Sequence, residues 1–171
     1  MAHGIVRTDL MHGADVGAEL VSVKFYNADV PAEIDNGCVV AIGALEDGQR
    51  EVRKATVPTA NADIRKIALI ASPEVIYDER LHNLSDFTNE AGTIARGYRL
   101  HSGDIFSVTK ECLIGEETPE KGYIVELAAD TKWNVATSAT GSATTIGEIF
   151  DIETKNGITY YAILVKPTAG K

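Results

Sequence analysis

The chain has 171 residues, of which 44% are hydrophobic, and its 16 Lys and Arg face 25 Asp and Glu, for a net charge of −9. That length and hydrophobic content favour one domain with a proper core and exclude disorder as a description of the whole. The acidic balance argues against binding to nucleic acid or to an anionic membrane surface, since either would need an excess of positive charge.

The first seventeen residues show little hydrophobic periodicity, and three glycines interrupt any helix there. Residues 1–17 are therefore predicted to form an extended N-terminal arm, which cannot bury its own apolar side chains. We expect the arm to dock onto a neighbouring protein, either a different one or a second copy of the chain, whereas a frayed terminus is the alternative. The candidate contact residues of the arm are Ile5, Val6, Leu10 and Met11.

The rest of the chain is predicted to be a single β-rich domain over 18–167, followed by a frayed tail at 168–171. Alternating or short continuous apolar runs between Gly, Pro and Asn turns predict its strands. The main predicted strands are 19–26, 38–45, 95–101, 104–114, 122–128, 146–152 and 158–165, with an exposed, charged strand at 51–56. The strands at 146–152 and 158–165 are predicted to form a hairpin across 153–157, where Asn156-Gly157 is a turn signal. The predicted fold class is mainly β, a small antiparallel barrel or sandwich built of hairpins.

Two segments allow more than one interpretation. The apolar run at 64–71 suits a helix or a short buried strand, and we prefer the strand because the run is short and Pro73 follows it. The run at 133–145, rich in Ser, Thr, Ala and Gly, indicates a loop or a flat edge strand. The polar stretch at 77–92 is expected to be irregular.

The centre of the chain reads Arg-Gly-Tyr-Arg-Leu-His-Ser-Gly-Asp-Ile-Phe-Ser-Val-Thr over 96–109. Tyr98 and Leu100 alternate with polar residues, and a tight turn follows in which Gly103 can adopt positive φ without steric cost. We predict a hairpin here. The pattern of a polar pair, Gly, one variable residue and a buried strand recurs at 35–42 and 120–127, without fixed spacing.

The reactive side chains give no signature of catalysis, a cofactor or a metal. Cys38 and Cys112 lie in apolar strand patterns and are predicted to be buried thiols, with a disulfide as the alternative. No signal-peptide pattern opens the chain, so we expect synthesis and folding in a cytoplasm. The histidines lack metal-ligand spacing; they are His3, His12, His82 and His101.

Other chemistry is equally unsupported by motif. An acidic loop could in principle bind Ca²⁺ but lacks alternating-ligand spacing, so we expect a solvated loop; its carboxylates are Asp78, Glu79, Asp86 and Glu90. The chain has no nucleophile elbow and no glycine-rich phosphate loop. The sequence therefore predicts a protein that is not an enzyme and uses no cofactor.

Several phrases of the sequence, taken in order, resemble the auxiliary (decoration, or head) proteins of tailed-bacteriophage capsids. They are Met-His-Gly-Ala-Asp (11–15), Ile-Asp-Asn-Gly-Cys-Val-Val-Ala-Ile-Gly-Ala-Leu (34–45), Gly-Gln-Arg-Glu-Val-Arg-Lys-Ala-Thr-Val-Pro (48–58), Leu-Ile-Ala-Ser-Pro-Glu-Val-Ile-Tyr-Asp-Glu (69–79) and the central stretch at 96–109. The likeness covers residues 11–109, and 130–171 has the least support from it.

The resemblance implies a structural protein that binds the outer surface of an assembled capsid and stabilises it against internal pressure. The implied partner is the major capsid protein, the implied state a homotrimer, and the implied location the virion surface. Symmetric copies that bridge several subunits turn weak contacts into avidity.

Two other classes stay open. A small β-sandwich module that binds a ligand or carbohydrate should show a concave face with clustered exposed aromatic side chains. The chain has one tryptophan, Trp133, to contribute to such a face. A hydrolase on a β-barrel should show convergent carboxylates in a pocket.

Overall fold

The computed structural model describes residues 2–75 and 83–166, and the chain is mainly β, with 44% strand and 10% helix. The strands are β1 (Val6–Leu10), β2 (Leu20–Asn27), β3 (Val30–Pro31), β4 (Val39–Leu45), β5 (Val52–Thr56), β6 (Ile67–Ile70), β7 (Ala95–Tyr98), β8 (Ile105–Val108), β9 (Leu113–Gly115), β10 (Ile124–Glu126), β11 (Trp133–Ala136), β12 (Thr145–Lys155) and β13 (Ile158–Val165). The described helical segments are single turns, namely α1 (His12–Asp15) and 3-10 turns at Gly17–Glu19, Ile64–Lys66, Leu84–Asp86 and Lys110–Cys112.

Five strands close the predicted barrel. They pair in the order β2, β5, β4, β6 and β7, and β7 pairs back onto β2. Every neighbouring pair is antiparallel except β2 with β5. β3 folds back on β2 through Ala28 and Asp29, whose φ values of 47° and 66° are those of a type I′ hairpin turn. The barrel strands bury one cluster of apolar side chains, which includes Val23, Val40 and Ala55.

The second sheet has seven strands in the order β1, β8, β13, β12, β10, β11 and β9. Its longest pair is the β12–β13 hairpin, which turns through Asn156 and Gly157 at φ of 53° and 79°. This confirms the hairpin that the Asn-Gly signal predicts. The parallel pair of β9 and β11 forms one end of the sheet, and β1 forms the other edge.

The predicted hairpin at 96–109 is wrong, although its turn is real. The backbone N–H of Asp104 donates to the carbonyl of His101 at 3.1 Å, and Gly103 has φ of 90°. The strands on either side, however, belong to different sheets: β7 lies in the barrel and β8 pairs with β1 and β13. The turn therefore carries the chain from one sheet to the other. The predicted strand at 104–114 is also interrupted, by the 3-10 turn at Lys110–Cys112.

The N-terminal segment contributes to both the second sheet and the core. β1 pairs antiparallel with β8, and a β-bulge interrupts the register between Arg7 and Leu10. Ile5 and Met11, on either side of this strand, are buried in the chain itself. The expectation that the segment cannot bury its own apolar side chains is therefore wrong for these two residues.

The structure shows which secondary structure the two ambiguous segments adopt. Within 64–71, a 3-10 turn precedes β6, whose four residues are all fully buried, so the preferred strand is confirmed. Within 133–145, β11 is an interior strand of the second sheet rather than a loop or an edge. The loop after it is held by the buried carboxylate of Glu126, which accepts from the backbone N–H and the hydroxyl of Thr140 at 2.9 and 2.8 Å.

The two sheets share one apolar core. Val39, Ile67 and Leu69 of the barrel lie in the same buried cluster as Phe106 and Trp133 of the second sheet. The rings of Phe106 and Trp133 are 5.2 Å apart, and the indole N–H of Trp133 donates to the carbonyl of Gly37 at 2.8 Å. The barrel and the second sheet therefore pack as one unit. His82, Asp78, Glu79 and the tail at 168–171 lie outside the described residues.

Candidate docking surface

Exposed apolar side chains gather on the outer face of the second sheet, near β1. In the strand register, Leu10 lies opposite Ile105, which lies opposite Leu164, so the three share this face. Leu10 is 62% exposed. A β-bulge in β12 falls between Ile149 and Asp151, which turns Ile149 inward and leaves Phe150 55% exposed on the surface.

Leu10, Ile105 and Phe150 line one depression of about 80 Å³. We call its apolar part the outer-face patch, defined as Leu10, Ile105, Phe150 and Ala162. All four are carried by strands of a hydrogen-bonded sheet, so the patch is held rigidly. A partner that covered it would not have to order a mobile loop first.

Ion pairs surround the outer-face patch. The guanidinium of Arg7 lies 3.2 Å from a carboxylate oxygen of Glu153 and 3.1 Å from one of Asp9, and 5.9 Å above the ring of Tyr160. Such exposed pairs add little to stability. Their arrangement matters more, because an apolar centre with a polar rim is the usual composition of a protein–protein interface.

One carboxyl of the rim, that of Asp151, has a pKa below its ordinary value. The side-chain hydrogen bond from Lys121 is the main cause that lowers the pKa of Asp151, and the backbone N–H of Ile152 adds to it at 2.8 Å. Lys121 lies 2.5 Å from the Asp151 carboxylate. A partner that buried this rim would therefore have to match a fixed negative charge beside a cation.

A cleft of about 630 Å³ adjoins Leu10 on the side of α1. The imidazole rings of His12 and His101 lie in it with centroids 5.1 Å apart. The Nε2 atom of His101 is 2.8 Å from Glu19, and this contact is the main cause that lowers the pKa of the Glu19 carboxyl. Within residues 2–75 and 83–166, no three His, Cys, Asp or Glu side chains are placed to hold a metal ion.

A groove of about 820 Å³ lies between β2, β7 and the segment that precedes β7. Polar side chains such as Ser22, Ser72 and Arg96 line it, together with the aromatic ring of Phe87. The hydroxyl of Thr88 is buried at this groove and has no hydrogen-bond partner in the described protein. Trp133 does not contribute, because it is fully buried in the core.

The four contact candidates of the sequence analysis differ in how far they are buried. Ile5 and Met11 are buried in this chain, and Val6 is half-buried against the core. Leu10 alone of the four is well exposed. It lies opposite Ile105 of β8 and lines the same depression as Ala162 of β13. Sequence reasoning missed both residues because strand pairing does not follow from any local pattern.

Comparison of the chain with protein-family models, curated proteins and solved structures gives no match. Among the described residues, no helix has both the length and the apolar character that crossing a bilayer would require.

Proposed function

We propose that this chain is a structural protein that binds the outer surface of an assembled viral capsid and stabilises the shell. The observation that carries the proposal is the outer-face patch, in which Leu10 and Phe150 are each more than half exposed on a rigid sheet inside a rim of ion pairs. The likeness of the phrases within 11–109 to capsid decoration proteins supplies the partner class, the major capsid protein.

A small patch gives weak binding at a single site, so the proposal includes multivalency. Specific, stable interfaces usually bury about 1,200–2,000 Å² in total, and a depression of about 80 Å³ can be only the centre of such a contact. A homotrimer would present three patches to adjacent capsid subunits, and each bound copy would raise the effective concentration of the next. The virion surface is then the site of action.

The test is co-sedimentation of the purified chain with capsids of the encoding virus that lack this protein. The unaltered chain should sediment with the capsids, and electron microscopy should place it on their outer surface. Leu10→Asp and Phe150→Asp should each weaken binding by at least about tenfold, because each would bury a charge in the apolar centre of the contact. Analytical ultracentrifugation of the free protein should give three times the 18.3 kDa chain mass.

The matched control is Val30→Asp. Val30 is 64% exposed on β3, which pairs with β2 and with no strand of the outer-face patch, so this variant introduces the same charge at similar exposure. It should bind like the unaltered chain. Equal losses of capsid binding in Leu10→Asp, Phe150→Asp and Val30→Asp would contradict the proposal. So would a folded chain that never sediments with capsids.

A second candidate function is a module that binds a small ligand or carbohydrate in the groove beside β2 and β7. The specific observation in its favour is the buried, unpaired hydroxyl of Thr88, since buried polar groups usually have partners and a ligand could supply one. In that case Arg96→Ala, which alters the groove lining, would reduce ligand binding and leave capsid binding unchanged.

A further inference from the structure

The only two cysteines of the chain meet where the barrel joins the second sheet. Cys38 directly precedes β4 of the barrel, and Cys112 directly precedes β9 of the second sheet. Both are buried, and both are free thiols. Seventy-four positions of sequence separate them (112 minus 38), so only the tertiary fold brings them to the same place.

The sulfur of Cys112 packs against the residues that lead into Cys38. Its Sγ lies 3.3 Å from the carbonyl oxygen of Asn36. A Cβ atom on Gly37 would stand 2.6 Å from the same sulfur, and one on Gly4 would also collide with it. The absence of side chains at these two glycines makes room for the sulfur. The Cys112 sulfur therefore lies directly beside the backbone that leads into Cys38.

We propose that Cys38 and Cys112 form a reversible intramolecular disulfide that ties the barrel to the second sheet, with a low-molecular-weight disulfide such as glutathione disulfide as oxidant. The reduced fold already holds the two cysteines close together, because the Cys112 sulfur lies against Asn36 and Gly37, the two residues before Cys38. The proposed disulfide does not depend on which partner the outer-face patch binds.

The surroundings assign different roles to the two sulfurs. The hydrogen bond from Cys112 is the main cause that lowers the pKa of Cys38, against the effect of burial, and Thr131 and Lys132 assist. The pKa of Cys112 is raised, first by its hydrogen bond to Cys38 and then by burial. Cys38 also keeps 5% of its surface exposed, whereas Cys112 has none, so Cys38 is the attacking thiolate and Cys112 is the thiol that resolves the intermediate.

The exchange balances without any other reactant. Cys38 loses its proton and attacks one sulfur of glutathione disulfide, which forms a mixed disulfide and expels one glutathione thiolate. Cys112 then loses its proton and attacks the Cys38 sulfur, which forms the protein disulfide and expels the second glutathione thiolate. The two protein thiols are oxidised by two electrons, and two glutathione molecules are the reduced products after they take up the two protons.

The disulfide would reinforce a junction that already holds the sheets together. At this junction the Trp133 indole N–H donates to the carbonyl of Gly37, and the backbone N–H of Val39 donates to the carbonyl of Thr131 at 2.7 Å. A covalent bond between residues so far apart in sequence restricts the unfolded chain strongly, and so it favours the folded state. The oxidised chain should therefore resist heating better than the reduced one.

The experiment treats the reduced, full-length chain with excess glutathione disulfide without denaturant, then denatures it and alkylates it with N-ethylmaleimide. Intact mass should show two maleimide adducts before oxidation and none after it. On denaturing, non-reducing electrophoresis the oxidised protein should run as a single chain, which shows that the disulfide does not link two chains. Dithiothreitol should restore both adducts. The melting temperature of the oxidised chain should exceed that of the reduced chain by about 5–10 °C.

Single serine variants test the two roles. Cys112→Ser should accumulate a mixed disulfide between Cys38 and glutathione, and it should do so faster than Cys38→Ser accumulates one at Cys112. The double serine variant should show the same melting temperature with and without oxidant. If a serine variant fails to fold, the comparison of oxidised with reduced parent chain still decides the question, since both have one sequence.

Two maleimide adducts after oxidation has reached equilibrium would overturn the proposal. A disulfide that forms only between chains, or only after denaturant is added, would overturn it equally. So would an oxidised chain that melts at or below the temperature of the reduced one.

Discussion

At the scale of single residues, Asp104 joins three segments that are distant in sequence. One carboxylate oxygen accepts from the backbone N–H of His12, and the other accepts from that of His101, both at 2.7 Å. Its backbone carbonyl accepts from Val165 at 2.8 Å. The side chain is almost fully buried, which strengthens these charge-assisted bonds. Asp104 therefore fixes α1 and the connection from β7 to β8 through its carboxylate, and the end of β13 through its backbone carbonyl.

Gly103 beside it is required for its backbone conformation rather than for space. Its φ is 90°, and a Cβ added there would have no heavy atom within 4 Å. Gly103→Ala should therefore lower the free energy of unfolding by about 1–2 kcal/mol through backbone strain alone. Urea unfolding of the variant and the unaltered chain measures this difference in the free energy of unfolding.

Gly17 offers the control, because a Cβ there is equally unobstructed and its φ is not in the left-handed region. Gly17→Ala should change stability by less than about 0.5 kcal/mol. An equal effect of the two alanines would show that the turn at Gly103 does not need a left-handed residue.

At the scale of elements, β1 is a strand at the edge of the second sheet with one side in the core and one side in the outer-face patch. Its bulge between Arg7 and Leu10 bends the edge and places a charged side chain on it. Natural edge strands use bulges and charges in this way to prevent further strand pairing. A partner would therefore contact β1 through the side chain of Leu10 rather than through hydrogen bonds to the backbone of the strand.

The two neighbours at the end of β1 should respond very differently to truncation. Met11 is 2% exposed and lies in the shared core, so Met11→Ala should destabilise the fold by about 2–4 kcal/mol, since it leaves a cavity. Leu10→Ala should change the free energy of unfolding by less than about 0.5 kcal/mol. Chemical denaturation measures both.

The same pair tests whether the segment acts only as an arm. An arm without a role in the fold would tolerate both alanine changes equally. If Met11→Ala unfolds at the denaturant concentration of the unaltered chain, β1 does not contribute its side chains to the core.

At the scale of the whole molecule, the barrel and the second sheet are two architectures with one core between them. Barrel strands supply Val39, Ile67 and Leu69 to the same cluster as Phe106 and Trp133. The loop after β11 adds polar ties, because Thr144 donates to the carbonyls of Ala60 and Ala62 at 2.7 and 2.8 Å. Neither part can open without exposing apolar surface of the other.

A single cooperative unfolding transition follows from this shared core. Trp133 reports on the junction, because its indole N–H donates to Gly37 of the barrel side while its ring packs on Phe106. The transition followed by Trp133 fluorescence should coincide in denaturant concentration with that followed by far-ultraviolet circular dichroism. Two separated transitions would mean that the barrel and the second sheet unfold independently.

The sequence by itself determined the fold class and most of the strands, because these depend on local chemistry. Alternation of apolar and polar residues reports which side of a strand is buried, and this signal is complete within a few residues. Turn residues act locally as well, so Gly103 and the Asn156–Gly157 turn are found where the sequence predicts turns with positive φ. A barrel was one of the two architectures that such strands allow, and the structure contains one.

The tertiary structure alone decided which strands pair, and everything in the candidate surface depends on that. β7 and β8 follow each other across a tight turn and yet join different sheets, because β8 finds its partners in β1 and β13. The same long-range pairing buries Met11, sets Leu10 beside Ile105 and brings the Cys112 sulfur against the residues that precede Cys38. Pairing energy comes from contacts between residues far apart in sequence, and no local pattern of one strand carries the identity of its partner.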